Sequence, residues 1–156
     1  MLFIEVLKII NKIAKMLFNT SYTNKEYTQE SIHILGKAFS FFEKIKIGGI
    51  GSSRLVIEEL STKLQPKNMQ SIAINYANIE LRPKGIIIHF SNRLDRYSWI
   101  IPYYRLVIYS TRTFSIHANG HFIKFKKNKN YLDNKKFIDK MIDSKIEFLN
   151  LGYYDG

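Results

Sequence analysis

Between Ile79 and Lys127 the chain writes out a run of short strands whose connecting turns can be identified from single residues. Asn119-Gly120 separates Phe114-Ser-Ile-His-Ala118 from His121-Phe-Ile-Lys-Phe125, and Asn-Gly suits the two positive-φ positions of a type I′ hairpin. The pairing follows: Ala118 opposes His121, and His117 opposes Phe122. Arg82-Pro83-Lys84-Gly85 marks a second tight turn, with proline presetting φ and glycine supplying freedom, between Asn78-Ile-Glu-Leu81 and Ile86-Ile-Ile-His-Phe90. Two hairpins of this kind argue for an antiparallel sheet rather than a parallel one with crossover helices.

Alternation along the Asn119-Gly120 hairpin places Phe114, Ile116, Ala118, Ile123 and Phe125 on one apolar face. Ser115, His117 and Lys124 fall on the other, so the sheet reads as wet on one side. The same alternation sends His117 and His121 to opposite faces, where they cannot share one ion. With His33 and His89 in unrelated contexts and no cysteine in the chain, no metal site and no cofactor are expected.

Tyr97 to Tyr109 is a long β-prone run that Pro102 must interrupt, because proline cannot donate to a ladder. Trp99 and Ile101 share a side before the break, and Tyr104, Leu106 and Ile108 share one after it. Packing is favoured there over a base-stacking platform built on Trp99. Asn134 to Leu149 then reads as an amphipathic helix, apolar at Phe137, Ile138, Met141, Ile142, Phe148 and Leu149, with Asp133 or Asn134 as its cap.

The N-terminal part follows helical periods. Leu2 to Phe18 carries Glu5, Lys8, Lys12 and Lys15 at steps of three and four, one polar stripe on a cylinder whose apolar side holds Leu2, Phe3, Val6, Ile10, Ile13 and Leu17. Four charges in this stretch exclude a membrane span, which needs about 20 mostly uncharged residues; no small-residue cleavage site marks a leader. Thr28 caps a second helix in which Ile32, Leu35, Ala38, Phe39, Phe42 and Ile45 recur to about Lys46. Gly48-Gly-Ile-Gly51 ends it, and Ser52 or Ser53 opens a third helix through Leu64, before Pro66. Gln70 to Tyr76 alternates as a strand. Residues 1–65 thus read as a helical region packed on the core or on a partner subunit, and 66–156 as a sheet with a closing helix, in one compact domain.

Chemistry-bearing motifs are scarce. Gly48 to Arg54 could offer backbone amides and an arginine to a phosphate, but it matches neither G-x-x-x-x-G-K-[ST] nor G-x-G-x-x-G, and a helix stop is the simpler reading. No nucleophile elbow is present, and Asp95, between Arg93 and Arg96, reads as a loop charge. No catalytic residue is assigned, and the chain is not read as an enzyme.

Charge is the stronger pointer. The chain has 24 Lys and Arg against 13 Asp and Glu, a net +11, which favours anionic partners. Residues 1–65 hold nine basic and six acidic side chains and 66–156 hold fifteen and seven, so the excess lies in the strand-rich part. If Asn78 to Leu81 runs upward, a simple meander gathers Arg82, Lys84, Arg112, Lys126, Lys127 and Lys129 at one end. The opposite end offsets Arg93 and Arg96 with Asp95.

The order of elements resembles pleckstrin-homology-like domains, in which a strongly bent antiparallel sheet, usually of seven strands, is capped by one C-terminal helix. Ile79-Glu-Leu-Arg-Pro-Lys-Gly-Ile-Ile-Ile-His-Phe90 followed by Tyr97-Ser-Trp-Ile-Ile-Pro102 is similar to the bacterial version's strand, glycine turn, strand and Trp-containing strand. It also resembles an uncharacterised group of conserved proteins from Bacteroidetes-type bacteria. The resemblance covers about Gln70 to Leu149; residues 1–65 have no counterpart, and fewer than seven strands are clear. It implies an α+β fold: N-terminal helices, then a bent antiparallel meander forming a partial barrel, capped by the last helix. A phosphoinositide motif does not carry over, since Arg82 and Lys84 alone do not make one.

These readings converge on a non-catalytic binding or scaffold module whose cationic end meets an anionic partner. The alternatives are a peripheral membrane protein held by the Leu2 to Phe18 helix and a single-stranded nucleic-acid binder. A homo-oligomer, specifically a homodimer, is expected from that helix, whose apolar face exceeds what a small monomer covers. Anionic lipid or acidic protein is the expected partner class ahead of nucleic acid. The expected location is cytoplasmic, at the membrane periphery if the helix meets lipid.

Overall fold

Turn chemistry sets the sheet, and one shared strand bends it. The computed structural model describes residues 1–7, 16–65, 75–92 and 95–154. The strands are β1 (Leu17–Asn19), β2 (Leu55–Leu60), β3 (Tyr76–Arg82), β4 (Gly85–Asn92), β5 (Asp95–Pro102), β6 (Val107–Ser110), β7 (Phe114–Ala118) and β8 (His121–Phe125). They form one open antiparallel sheet in the order β1-β5-β4-β3-β2-β8-β7-β6. Besides the helical residues 2–7, the described residues include α1 (Lys25–Leu35), α2 (Phe41–Ile47), α3 (Lys129–Asp133) and α4 (Lys135–Tyr154). The fold is α+β, with α1 and α2 between β1 and β2 and with α3 and α4 after β8.

Both hairpins have the register their turns dictate. Arg82 pairs with Gly85 around Pro83-Lys84. Ala118 pairs with His121 and His117 with Phe122, with Asn119 and Gly120 at φ 53° and 79°. Phe114, Ile116, Ala118, Ile123 and Phe125 are buried as alternation requires. Ser115 is buried as well, against the expectation of a wet face. Its hydroxyl meets His117 Nε2 at 3.0 Å, and His117 is itself held edge-on by Tyr109 and against Phe122. Pro102 ends β5, as its missing N–H predicts. Residues Tyr103–Arg105 form a 3₁₀ turn that breaks alternation, leaving Tyr104 exposed while Leu106 is buried.

Several helical expectations give way to pairing. Leu55 to Leu60 is a strand, not part of a third helix: Leu55 and Val56 pair with Ala77 and Tyr76, and Ile57 to Leu60 pair with Phe125 to Ile123. Three consecutive buried residues, two of them β-branched, fit a strand covered on both faces. The Leu2 to Phe18 helix does not run its full length either. Residues 2–7 are helical, but Leu17 and Phe18 pair with Trp99 and Ser98. They cover an edge of β5 that would otherwise offer unpaired amides. Ile10 and Ile13 lie outside the described residues, as do 70–74 of the expected Gln70 to Tyr76 strand. The second helix starts at the Asn24 cap rather than Thr28 and breaks at Gly36, φ 84°. The chain re-enters α2 through a Ser40/Glu43 capping box. At the C-terminus Asn128 caps α3, and buried Asn134 links it to α4 while accepting from Ser53 N–H.

The central strands are buried on both faces. Ala77, Ile79, Leu81, Ile86, Ile88, Trp99 and Ile101 share one face by register and enter the main core with Ile138 and Met141 of α4. Ile87 and Ile100 lie on the other face, under residues 16–35. There Phe18 packs its ring 5.8 Å from Tyr27, and Leu35 closes over the β3–β4 turn, accepting from Lys84 N–H at 2.9 Å.

Gly85 is the tightest point of that closure. A Cβ there would lie 2.2 Å from Ile101 O, 2.6 Å from Leu35 Cδ2 and 2.7 Å from Pro102 Cα, two of them backbone atoms that cannot yield. Gly85→Ala is expected to cost about 3 kcal/mol, read as a lower urea midpoint at unchanged slope; a loss below about 0.5 kcal/mol would refute the close approach.

Candidate functional site

The shared strand decides where the basic residues go. Leu81 N–H bonds Ile50 O, whereas Lys126 N–H bonds Val56 O. Ile50 and Val56 lie six residues apart along the chain, and β3 and β8 flank β2 on opposite sides. The structure therefore separates Arg82 and Lys84 from the other four candidates.

Arg82 is already occupied. Its Nε reaches Glu80 Oε2 at 2.5 Å, its Nη1 donates to Gly36 O at 3.2 Å, and its side chain is 11% exposed. Lys84 is exposed at the turn. By contrast Arg112, Lys126, Lys127 and Lys129 are all exposed and come from two adjoining segments. The stacked Phe114 and Phe125 rings fix the ends of β7 and β8 beside each other. Lys127 Nζ donates to Thr111 O at 2.5 Å and lies 5.5 Å over the Tyr131 ring, tying the β6–β7 turn to the start of α3. Among the described residues none of the four joins an ion pair; Asp133, exposed at the end of α3, is the acid nearest to them in the sequence.

A second polar cluster was not legible beforehand. Glu80, His89 and Ser98 sit on β3, β4 and β5, all facing α1. His89 donates through Nε2 to Glu80 Oε1 at 3.2 Å and meets Ser98 Oγ through Nδ1 at 2.7 Å. Ser98 Oγ in turn lies 2.8 Å from Thr20 Oγ1. Serine, histidine and carboxylate stand in line, but Ser98 is fully buried and its hydroxyl is engaged by its neighbours, which makes the chain of contacts a clamp across strands. Burial alone would raise the Glu80 pKa; the hydrogen bonds and charges of His89 and Arg82 outweigh it and hold the carboxyl at about 2. Burial pushes the Tyr27 hydroxyl above, and the Glu80 charge adds to the effect.

Two clefts open among the described residues. One, of about 340 Å³, opens between Phe39, Ile47, Leu81, Pro83, Tyr103 and Phe148. Its Tyr103 hydroxyl is pushed up to about 12 by burial and donates to Arg82 O at 3.4 Å. The other, of about 400 Å³, lies beside the Asn119-Gly120 turn, where burial and then Lys63 lower the His121 pKa. Among the described residues no group of three or more His, Cys, Asp or Glu is placed to hold a metal.

The remaining candidates separate clearly. Trp99 is 1% exposed and belongs to the core, so it cannot stack on bases, and that version of nucleic-acid binding falls. Leu2, Phe3 and Val6 are exposed at 77%, 74% and 43%, while Leu17 is half-buried on β1. Among the described residues no helix is long and apolar enough to cross a membrane. Sequence reading ran α2 into the second helix and counted Phe42 and Ile45 on its apolar side, whereas Phe41, Phe42 and Ile45 all face solvent; Ser40-Phe-Phe-Glu43 was the signal for a separate helix. Comparison with protein-family models, curated proteins and solved structures finds no match to the chain.

The Glu80 pairing has a pH signature. Its folded pKa of about 2 lies below the ordinary 4.5, so its stabilisation is complete above pH 4.5 and is lost as pH falls toward 2. The stability gap between wild type and Glu80→Gln should narrow over that window in urea titrations. A gap independent of pH would rule out an ionised Glu80 as the stabilising species.

Proposed function

We propose that the chain is a non-catalytic binding or scaffold module, and that its contact with an anionic partner is the rim formed by Arg112, Lys126, Lys127 and Lys129. The observation that carries this reading is the Lys127–Thr111 bond, which holds two segments of like charge together with no ion-pairing acid among the described residues. Gathering like charges costs self-repulsion, and a multivalent anion removes that cost. The seven strands from β2 to β8 followed by α4 have the number and order of a pleckstrin-homology-like domain only when β2, which lies in residues 1–65 and outside the stretch on which the resemblance rests, is included. Arg82 drops out of the interface, since its guanidinium serves Glu80.

A second reading, peripheral attachment to a membrane, is favoured by residues 2–7, a helical segment with Leu2, Phe3, Ile4 and Val6 turned to solvent.

The rim is tested at constant net charge. R112Q/K126Q/K127Q/K129Q is compared with K25Q/K37Q/K63Q/K136Q, four exposed lysines elsewhere, on a sulfated polysaccharide and on a mixed single-stranded oligonucleotide over a range of salt. The rim variant should lose the steep salt dependence of phosphate or sulfate neutralisation and keep its melting temperature, because exposed charges contribute under about 1 kcal/mol. Equal losses in both variants would mean that bulk charge, not a site, binds the polyanion.

A further inference from the structure

Helix α2 is seven residues long and buries none of them. Phe41 is 70% exposed, Phe42 81% and Ile45 63%, and the two phenyl rings meet edge-on at 5.8 Å. At about 100° per residue the three side chains fall within one arc. Lys46 and Lys44 sit just beyond its two margins. Glu43 lies on the opposite side, with its carboxylate accepting from Ser40 N–H at 2.9 Å, and Ile47 also turns inward to line the cleft against Phe39 and Phe148. The outward surface is therefore apolar at its centre and cationic at both edges, and it carries no acid.

The helix is also held in place. The Ser40/Glu43 capping box fixes its start, Gly48 in the left-handed region fixes its end, and Lys140 Nζ donates to Gly48 O at 3.1 Å and Gly49 O at 3.2 Å. This is a rigid convex tip rather than a groove. Its three side chains expose on the order of 400 Å², half of the roughly 800 Å² per partner that a stable protein interface buries. An apolar tip with lysine margins instead matches the boundary between acyl chains and headgroups.

We propose that α2 is a bilayer-inserting wedge: Phe41, Phe42 and Ile45 enter the interfacial region of an anionic membrane while Lys44 and Lys46 meet lipid phosphates and carboxylates. The proposal rests on the membrane reading above and adds to residues 2–7 a second, rigidly held contact.

The test is flotation of the full chain with phosphatidylcholine vesicles, with and without phosphatidylserine. Wild type should bind the phosphatidylserine vesicles, and F41A/F42A should bind them about tenfold more weakly at an unchanged melting temperature. K44Q/K46Q should lose most of the preference for phosphatidylserine. Phe42→Trp should show a blue-shifted emission on those vesicles, above the constant signal of buried Trp99. If F41A/F42A floats like wild type, the wedge is wrong, and attachment through residues 2–7 or the rim stands by itself. If wild type fails to float, the wedge and the membrane reading both fall. If light scattering shows a wild-type dimer that F41A/F42A dissolves, the tip is a self-association surface and the proposal is overturned.

Discussion

Strand β2 has to serve two partners. Leu55 and Val56 pair with β3 and Ile57 to Leu60 with β8, and the two ladders overlap where Ile57 N–H donates to Asn75 O and Val56 O accepts from Lys126 N–H; a register shift lies between Ile57 and Glu59. An irregularity of this kind bends a strand and strengthens its twist. The hairpin β3–β4 with β5 and the group β8, β7, β6 are thereby displaced along β2 rather than set level. The core follows from that displacement, because the two groups curl toward one another and α4 closes the space with Phe137, Ile138 and Met141. The distribution of charge follows as well, since the Arg82 end of β3 lies beside Ile50 while Lys126 lies beside Val56.

The segment 16–35 is joined to the sheet through polar groups as much as through oil. Phe18 and Leu35 bury apolar surface, but between them run Thr20, Ser98, His89 and Glu80, with Arg82 at the end. A carboxylate buried without partners would be costly. Here each oxygen has a donor, so the same groups that would penalise a misplaced segment reward the correct one. The geometry of the clamp ties three neighbouring strands and the entry to α1 into one unit.

What could be read beforehand depended on how local its cause was. The turns at Pro83-Lys84-Gly85 and Asn119-Gly120 are decided by the φ preferences of the residues in them, and their registers were legible in full. Leu55-Val-Ile57 looked continuous with a helix because nothing within ten residues says otherwise; its strand state comes from β3 and β8, far away in the chain. The same holds for Leu17 and Phe18. Strand directions were legible, so the six basic residues were assigned to one end. The level of β3 against β8 was not, because it is set by the register of β2 alone. Two local signals did lie in the sequence: Glu80 and Arg82 are two apart on one strand, hence on one face, and Ser40-x-x-Glu43 is a capping box. Reading either would have removed Arg82 from the anion site or divided the second helix.

The open sheet has unequal ends. At one end β1 shields β5, but among the described residues β6, Val107 to Ser110, pairs only with β7, and its outer amides and carbonyls form a short template for another strand. The approach to that edge is guarded by cations: Arg105 just before it, Arg112 just after it, and Lys127 drawn across to Thr111. A second β6 arriving in antiparallel fashion would bring its own arginines against these. Like charge at the margin of this strand would oppose growth of the sheet by addition of its own copies.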